Sequence, residues 1–166
     1  VNNKGKAIAI AIAAATAAAV PIAQRWEGYR GQAYLDPANI LTQCYGETRD
    51  VDPSRIYSKD ECATKLRARM AKDYAPALIE CVPGFIDLAH TNRFAALLDA
   101  SYNAGPSAAC RSPMAREFRA GRWDLGCEYF DGWYVTARDR KTGARVRLRG
   151  LVNRRIDEAA LCRKQP

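Results

Sequence analysis

Three side chains in one short run have the types and spacing for acid–base hydrolysis. Glu27, Asp36 and Thr42 stand at E-x8-D-x5-T spacing within Glu27-Gly-Tyr-Arg-Gly-Gln-Ala-Tyr-Leu-Asp36-Pro-Ala-Asn-Ile-Leu-Thr42-Gln-Cys-Tyr-Gly46. Breaking a glycosidic bond takes one carboxyl that gives its proton to the leaving oxygen. A second group, across the sugar, holds or activates water. Taken singly, each residue has an ordinary structural use: a solvated helix carboxylate, an Asp-Pro turn, a half-buried strand Thr. With seven Glu, eleven Asp and seven Thr in 166 residues, chance would supply only ~0.02 such triplets. The set is therefore more informative than its members.

Groups that face each other across a sugar need two elements joined by a turn. Trp26 to Arg30 reads as a helix end stopped by Gly31. Ala33 to Tyr45 reads as a hairpin turning at Asp36-Pro37-Ala38-Asn39. Downstream the chain reads as mostly helical. Ser58-Lys-Asp-Glu61 is a capping box, followed by Cys62, Leu66, Met70 and Tyr74 along one face. Pro76 and Pro83 are expected to interrupt before the next element. Thr91 or Asn92 opens a helix whose apolar face holds Phe94, Leu97, Leu98 and Ser101, and Gly105-Pro106 ends it. Ser112-Pro113 starts a short helix closing at Gly121. Trp123 to Phe130 and Leu151 to Cys162 make two more, the last turning Val152, Ile156, Ala159 and Ala160 inward. Trp26, Met70 and Trp123 read as core residues. The implied class is α+β, a small hairpin sheet beside a mainly helical lobe with a cleft between them.

The motif resembles the opening of the phage-type lysozymes, the muramidase endolysins of glycoside hydrolase family 24. Their pattern E-G-x-R-x-x-x-Y-x-D, then a Thr and a Gly-rich strand, is met by Glu27, Gly28, Arg30, Tyr34, Asp36, Thr42 and Gly46. The resemblance continues at Tyr102-Asn103-Ala104-Gly105, at Gly121-Arg-Trp-Asp-Leu-Gly-Cys127 and at Gly150-Leu-Val-Asn-Arg154-Arg155, so it covers nearly all of the chain after residue 24. Two departures stand out. Gly46-Glu47-Thr48 replaces the usual Gly-His-Thr, and the segment between Trp133 and Gly150 is longer.

The resemblance implies a lysozyme-like fold and an inverting hydrolysis of the β-1,4 bond between N-acetylmuramic acid and N-acetylglucosamine in peptidoglycan. Glu27 would be the acid, with Asp36 and Thr42 managing water. Arg154 matches the arginine that contacts the acid in these enzymes. Asn103 is either a substrate contact or a helix-terminating Asn. No cofactor or metal is expected. His90, the only histidine, stands before a helix start with no ligand cluster around it and reads as a surface residue. A lytic transglycosylase would cut the same bond with the acid alone, and Asp36 with Thr42 argues against it. A basic, membrane-anchored binding protein is the non-enzymatic alternative.

Composition fits one catalytic domain, expected over residues 25–166, while export and six cysteines argue against a nucleic-acid partner. The formal charge of +8, from 26 basic and 18 acidic residues, suits nucleic acid, anionic lipid or an anionic wall alike. Seven of nineteen arginines fall between Arg138 and Arg155. Alternation around Lys141-Thr142-Gly143 predicts a hairpin with Arg outward, either a solvated strand pair or a substrate flap.

Residues 1–24 differ from the rest. Ala7 to Ala23 is free of charge, with ten Ala, four Ile and one each of Val, Thr and Pro, behind Lys4 and Lys6. A bilayer span wants roughly 20 apolar residues, so this one is barely long enough and, being Ala-rich, weakly inserting. It resembles a signal-anchor-release segment, which would tether the protein to the inner membrane and later free it into the periplasm of a Gram-negative host. A cleaved signal peptide, with small residues at Ala17-Ala18-Ala19, is the alternative. Six cysteines with no C-x-x-C pair point to disulfides in an oxidising space. Family resemblance and proximity give Cys44–Cys62, Cys81–Cys110 and Cys127–Cys162. A monomer is expected.

Overall fold

The computed structural model describes residues 3–36, 38–139 and 141–164. Pro37 of the expected turn and Arg140 of the expected flap lie outside them. The chain opens with one long helix, α1 (Asn3–Glu27). It continues into an antiparallel hairpin, β1 (Arg30–Leu35) and β2 (Leu41–Cys44), in which Tyr34 faces Thr42. The helical lobe follows: α2 (Lys59–Arg69), α3 (Ala75–Cys81), α4 (Thr91–Ala104), α5 (Pro106–Cys110), α6 (Pro113–Arg119) and α7 (Trp123–Glu128). A second hairpin, β3 (Thr136–Arg138) and β4 (Arg145–Arg147), leads into the last helix, α8 (Arg149–Cys162). This is the expected lysozyme-like α+β arrangement with an N-terminal apolar helix.

The expected boundary at residue 24 falls inside α1. That helix lies against α4, with further contacts to α2 and α8. Its buried residues are Ala11, Ala15, Thr16, Ala19, Val20 and Ala23. Four of them, Ala11, Ala15, Ala19 and Ala23, recur every fourth residue and form one stripe along the helix. Their small side chains let α1 seat against α4, whose Phe94, Leu97 and Leu98 lie at the centre of the core. By length and composition α1 is also apolar enough to cross a bilayer.

Several local expectations are corrected. α1 ends at Glu27, one turn before the predicted stop, because Gly28 takes the left-handed conformation (φ +72°) that glycine adopts without penalty. Arg30 therefore belongs to β1. Pro76 does not break its helix. The backbone widens into a π-turn over Met70–Tyr74, with Ala75 N–H bonding to the Met70 carbonyl, and α3 follows directly. A proline ring collides with the carbonyl four residues back, here Lys72, and the wider turn relieves that collision. α7 stops at Glu128 rather than Phe130, and α8 begins at Arg149 rather than Leu151.

The largest correction concerns α8. Ile156 and Ala160 are exposed and Val152 only half-buried, while Arg154, Arg155, Glu158, Ala159 and Cys162 face inward. Trp26 is half-buried at the surface, its Nε1 donating to Asp157 Oδ2 at 2.9 Å. Trp123 is likewise half-buried, and His90, expected at the surface, is half-buried and stacked on it with ring centroids 3.5 Å apart. Burial and the nearby Arg93 lower the His90 pKa.

The Ser58 capping box forms as the sequence predicts, and Met70 is fully buried. Three disulfides bind the lobe at its edges. Cys44–Cys62 joins β2 to α2, Cys81–Cys110 joins α3 to α5, and Cys127–Cys162 joins α7 to α8, with Cα–Cα distances of 5.0, 5.9 and 5.5 Å. In the chain-entropy view each stabilises the fold by roughly 3–4 kcal/mol. None of these bonds involves α1.

Candidate active site

Glu27 is the last residue of α1, and the helix stop at Gly28 leaves its carboxyl at the junction between the first hairpin and the helical lobe. Two recesses meet there. One, of about 200 Å³, is lined by Glu27, Gly46, Glu47, Thr48, Arg49, Arg69, Tyr74, Tyr102 and Asn103. The other, of about 390 Å³, is lined by Trp26, Glu27, Asn103, Leu148, Arg149, Gly150, Leu151 and Arg154. Glu27 and Asn103 belong to both, so they stand at the centre of a cleft.

The loop after β2 comes close to the carboxyl because residue 46 is glycine. A Cβ there would lie 3.3 Å from Glu27 Oε2, and the backbone is left-handed at φ +78°. Tyr102 fixes this loop from below by donating its hydroxyl to the Tyr45 carbonyl at 2.7 Å. Burial, and then the negative charges of Glu27 and Glu47, push the Tyr102 pKa well up, so it remains a neutral donor.

The other oxygen of Glu27 is held from α8. Arg154 Nη1 donates to Glu27 Oε1 at 2.5 Å, while Nε and Nη2 donate to the two oxygens of Asp99 at 2.9 and 3.0 Å. Asp99 is fully buried on α4 and Arg154 is 3% exposed. Burial works against the Arg154 charge, but Asp99 and then Glu27 more than compensate and raise its pKa. Arg154 gives its two-pronged edge to Asp99 and a single N–H to Glu27.

Behind this lies a layer of charge that no reading of apolar periodicity finds. Arg155 Nη2 donates to Asn103 Oδ1 at 2.7 Å, and its Nη1 lies 3.0 Å from Glu158 Oε2. Three carboxyls (Glu27, Asp99, Glu158) therefore share two guanidinium groups. Glu158, fully buried, takes the neutral role. Burial first and the Asp99 carboxylate second hold its pKa well above the usual carboxylate range, with Arg155 and Arg154 pulling the other way. The sequence signal was the spacing Arg154-Arg155-x-x-Glu158, which puts the acid one turn from both arginines.

This has a measurable consequence. A carboxyl whose folded pKa is raised holds a proton that the unfolded chain gives up above its own value of 4.5. Its contribution to stability is complete below that pH and is lost as pH rises toward the folded value. Glu158→Gln cannot ionise, so its melting temperature should match the wild type in mild acid and fall less steeply into the alkaline range. Thermal melts across pH would show this. Identical slopes for the two proteins would mean that Glu158 is charged in the fold.

Glu47, where the family pattern has His, forms one wall of the cleft. It is 8% exposed and accepts from Arg69 Nη2 at 2.5 Å and Nε at 2.9 Å, and from the Arg49 amide at 2.8 Å. Arg69 also reaches Asp73 at 2.5 Å. Glu47 and Asp73 raise the Arg69 pKa against the effect of burial, so the wall is a fixed ion-pair network rather than a titrating imidazole.

The structure brings Glu27, Arg154 and Asn103 together. Asp36 and Thr42 sit on the adjoining hairpin and do not line either recess. Asp36 Oδ1 caps the turn, accepting from the amides of Ala38 at 2.7 Å and Ile40 at 2.9 Å. Thr42 is buried, with its hydroxyl donating to the Ile40 carbonyl at 3.0 Å. Among the described residues no group of three or more His, Cys, Asp or Glu side chains is placed to hold a metal ion.

Residues 24–158 match the family described as Phage lysozyme. A SAR-endolysin of Haemophilus phage HP1 (strain HP1c1) is 27% identical over 157 residues, 87% of this chain and 78% of that protein. Among solved structures, the muramidase domain of SpmX from Asticaccaulis excentricus superposes with a TM-score of 0.75 at 24% identity, over 89% of this chain and 95% of that one. An endolysin from Escherichia coli O157:H7 phage FAHEc1 gives 0.74 at 24% identity, over 90% and 94%.

Proposed function

This chain belongs to the phage lysozyme family, and from that membership we propose that it is an endolysin that hydrolyses the β-1,4 bond between N-acetylmuramic acid and N-acetylglucosamine. The observation that carries the reading is the carboxyl of Glu27, set where two recesses meet, with one oxygen held by Arg154 and the other facing the loop at Gly46. Glu27 protonates the departing glycosidic oxygen. A glycan filling the cleft excludes water from the exposed quarter of this side chain, 23% in the free protein, so that the proton passes directly to the leaving oxygen. To Asp36 and Thr42 we assign stabilisation of the cationic sugar and direction of water to its opposite face, which inverts the anomeric centre. Neither lines a recess in the free protein and the Thr42 hydroxyl is bonded to Ile40, so this role requires the β1–β2 hairpin to close on the glycan. Asn103 touches the sugar. Arg155 occupies its oxygen, which leaves the amide N–H groups as the donors to a sugar acceptor.

We also assign α1 two states. Spanning the inner membrane, it holds Glu27 at the bilayer surface, and the cleft lacks the helix that carries its acid. Released into the periplasm, it docks through the alanine stripe, completing the site in a monomer. Mass analysis of fragments from purified peptidoglycan tests the chemistry: reducing ends support hydrolysis, whereas anhydro ends would make the enzyme a lytic transglycosylase.

Asp36 needs a conservative variant, since it also holds the hairpin turn. Asp36→Asn keeps an Oδ1 acceptor for the Ala38 and Ile40 amides and removes only the charge. Release of reducing ends should fall by about 100-fold or more, with the melting temperature unchanged. Wild-type turnover in that variant would remove Asp36 from the mechanism.

A further inference from the structure

The second hairpin carries a cluster of cations that the fold does not use. β3 and β4 pair only with each other among the described residues, and residues 141–150 are all exposed. The register places Arg138 opposite Arg145, and Thr136 opposite Arg147. Directly opposed residues share a face of the ribbon, and Arg145 and Arg147 are two apart, so all three arginines project from one side. Like charges directly opposite one another destabilise a strand pair, and no acidic side chain among the described residues is paired with them. Arg145 rests on the Thr136 hydroxyl. Arg138 and Arg147 have no acidic partner among the described residues. The one acid of the hairpin, Asp139, is turned into the loop, accepting from the Lys141 and Thr142 amides and the Thr142 hydroxyl. Elsewhere exposed arginines are commonly matched: Arg25 with Asp157, Arg55 with Glu61, Arg163 with Glu128.

The position of the ribbon narrows the choice of anion. β4 leads directly into Leu148 and Arg149, which line the larger recess beside Glu27. The tip, Lys141-Thr142-Gly143-Ala144, has no large apolar side chain to enter a bilayer. Arg147 and Arg145 stand two and four residues before Arg149, at most roughly 7 and 14 Å of chain from the cleft. On the substrate proposed above, each muramic acid bears a short acidic peptide. Four or five extended residues span at most about 13–18 Å, so the carboxylates of a stem whose sugar occupies the cleft fall within the length of the arginine face. Forked guanidinium groups suit carboxylates, which they hold with paired hydrogen bonds.

We propose that Arg138, Arg145 and Arg147 form a docking face for the free carboxylates of the peptide stems, and so select walls whose stems are not amidated. This rests on the muramidase reading, and the test keeps the two apart. Three substrates are compared: intact wall with free stem carboxylates, the same wall after chemical amidation, and glycan strands stripped of stems by an amidase. The wild type should release reducing ends from all three, with KM at least tenfold higher on the amidated and stripped substrates and kcat little changed. The triple variant R138Q/R145Q/R147Q should show the higher KM on every substrate and no discrimination. R138K/R145K/R147K, which keeps the charge, should recover part of the preference, separating lost recognition from a misfolded hairpin.

Equal wild-type KM on the three substrates would overturn the proposal while leaving the muramidase reading intact. Failure to release reducing ends from any of the three substrates would sink the muramidase reading instead. If the triple substitution abolished binding to phosphatidylglycerol vesicles without changing KM on any wall, the face would belong to a lipid surface and the stem assignment would be wrong.

Discussion

Glu27→Gln should abolish lysis without disturbing the fold. General acid catalysis contributes about 10²–10⁴-fold, and Gln keeps the size of the side chain and an Oε1 that still accepts from Arg154 Nη1. The buried contacts of Arg154 with Asp99 are untouched, so the variant should melt within a few degrees of the wild type. Reducing-end release from purified wall should fall by about 10³-fold, chiefly in kcat. Arg154 is a poorer place to test the same idea. Removing one partner from a buried ion pair costs about 3–5 kcal/mol, and an inactive Arg154 variant could simply be unfolded. Near-normal turnover in Glu27→Gln would end the lysozyme mechanism proposed for this site.

The second large effect is expected from α1, and the structure shows how to separate its two roles. Ala9, Ala13 and Ala17 are exposed on the docked helix, whereas Ala11, Ala15 and Ala19 are buried against the core. A leucine near the centre of a span favours insertion by about 0.3–0.6 kcal/mol, so three together shift the balance toward the membrane by roughly 1–2 kcal/mol. Changing the exposed set to Leu should therefore leave the protein in the membrane fraction and delay lysis of cells. Once extracted and refolded in solution, it should cut wall at the wild-type rate. Leucines in the buried set add the same insertion strength and also overpack the α1–α4 contact, at about 1–3 kcal/mol each. That protein should be membrane-bound in cells and inactive even after extraction, because Glu27 rides on the displaced helix. Fractionation and turnover of the two variants distinguish the outcomes. An exposed-set variant found soluble, or found membrane-bound yet fully lytic, would rule out control by release of α1.

What the sequence determined by itself is mostly local. The spacing of Glu27, Asp36 and Thr42, the Ser58 capping box, the glycine after α4 and the Lys141-Thr142-Gly143 turn depend on a few neighbouring residues and on backbone preferences. They are legible without knowledge of what lies opposite. The uncharged run from Ala7 to Ala23 was equally plain, but its two faces were not, since alanine is small enough for either water or a tight helix contact. Only the position of α4 decides which alanines are buried.

The inward face of α8 shows the same limit more sharply. Apolar periodicity pointed Ile156 and Ala160 to the core. The tertiary structure turns Arg154, Arg155 and Glu158 there instead, because Asp99 and Asn103 on α4 and Glu27 at the end of α1 meet them across distances of about fifty to more than a hundred residues in sequence. A buried charge is tolerated only when its partners are in place, and those partners are visible only when three separate helices are assembled. For the same reason Glu27 and the Arg154 that holds it could be picked out from the family pattern, while Asp99, Arg155 and Glu158, which balance them, could not.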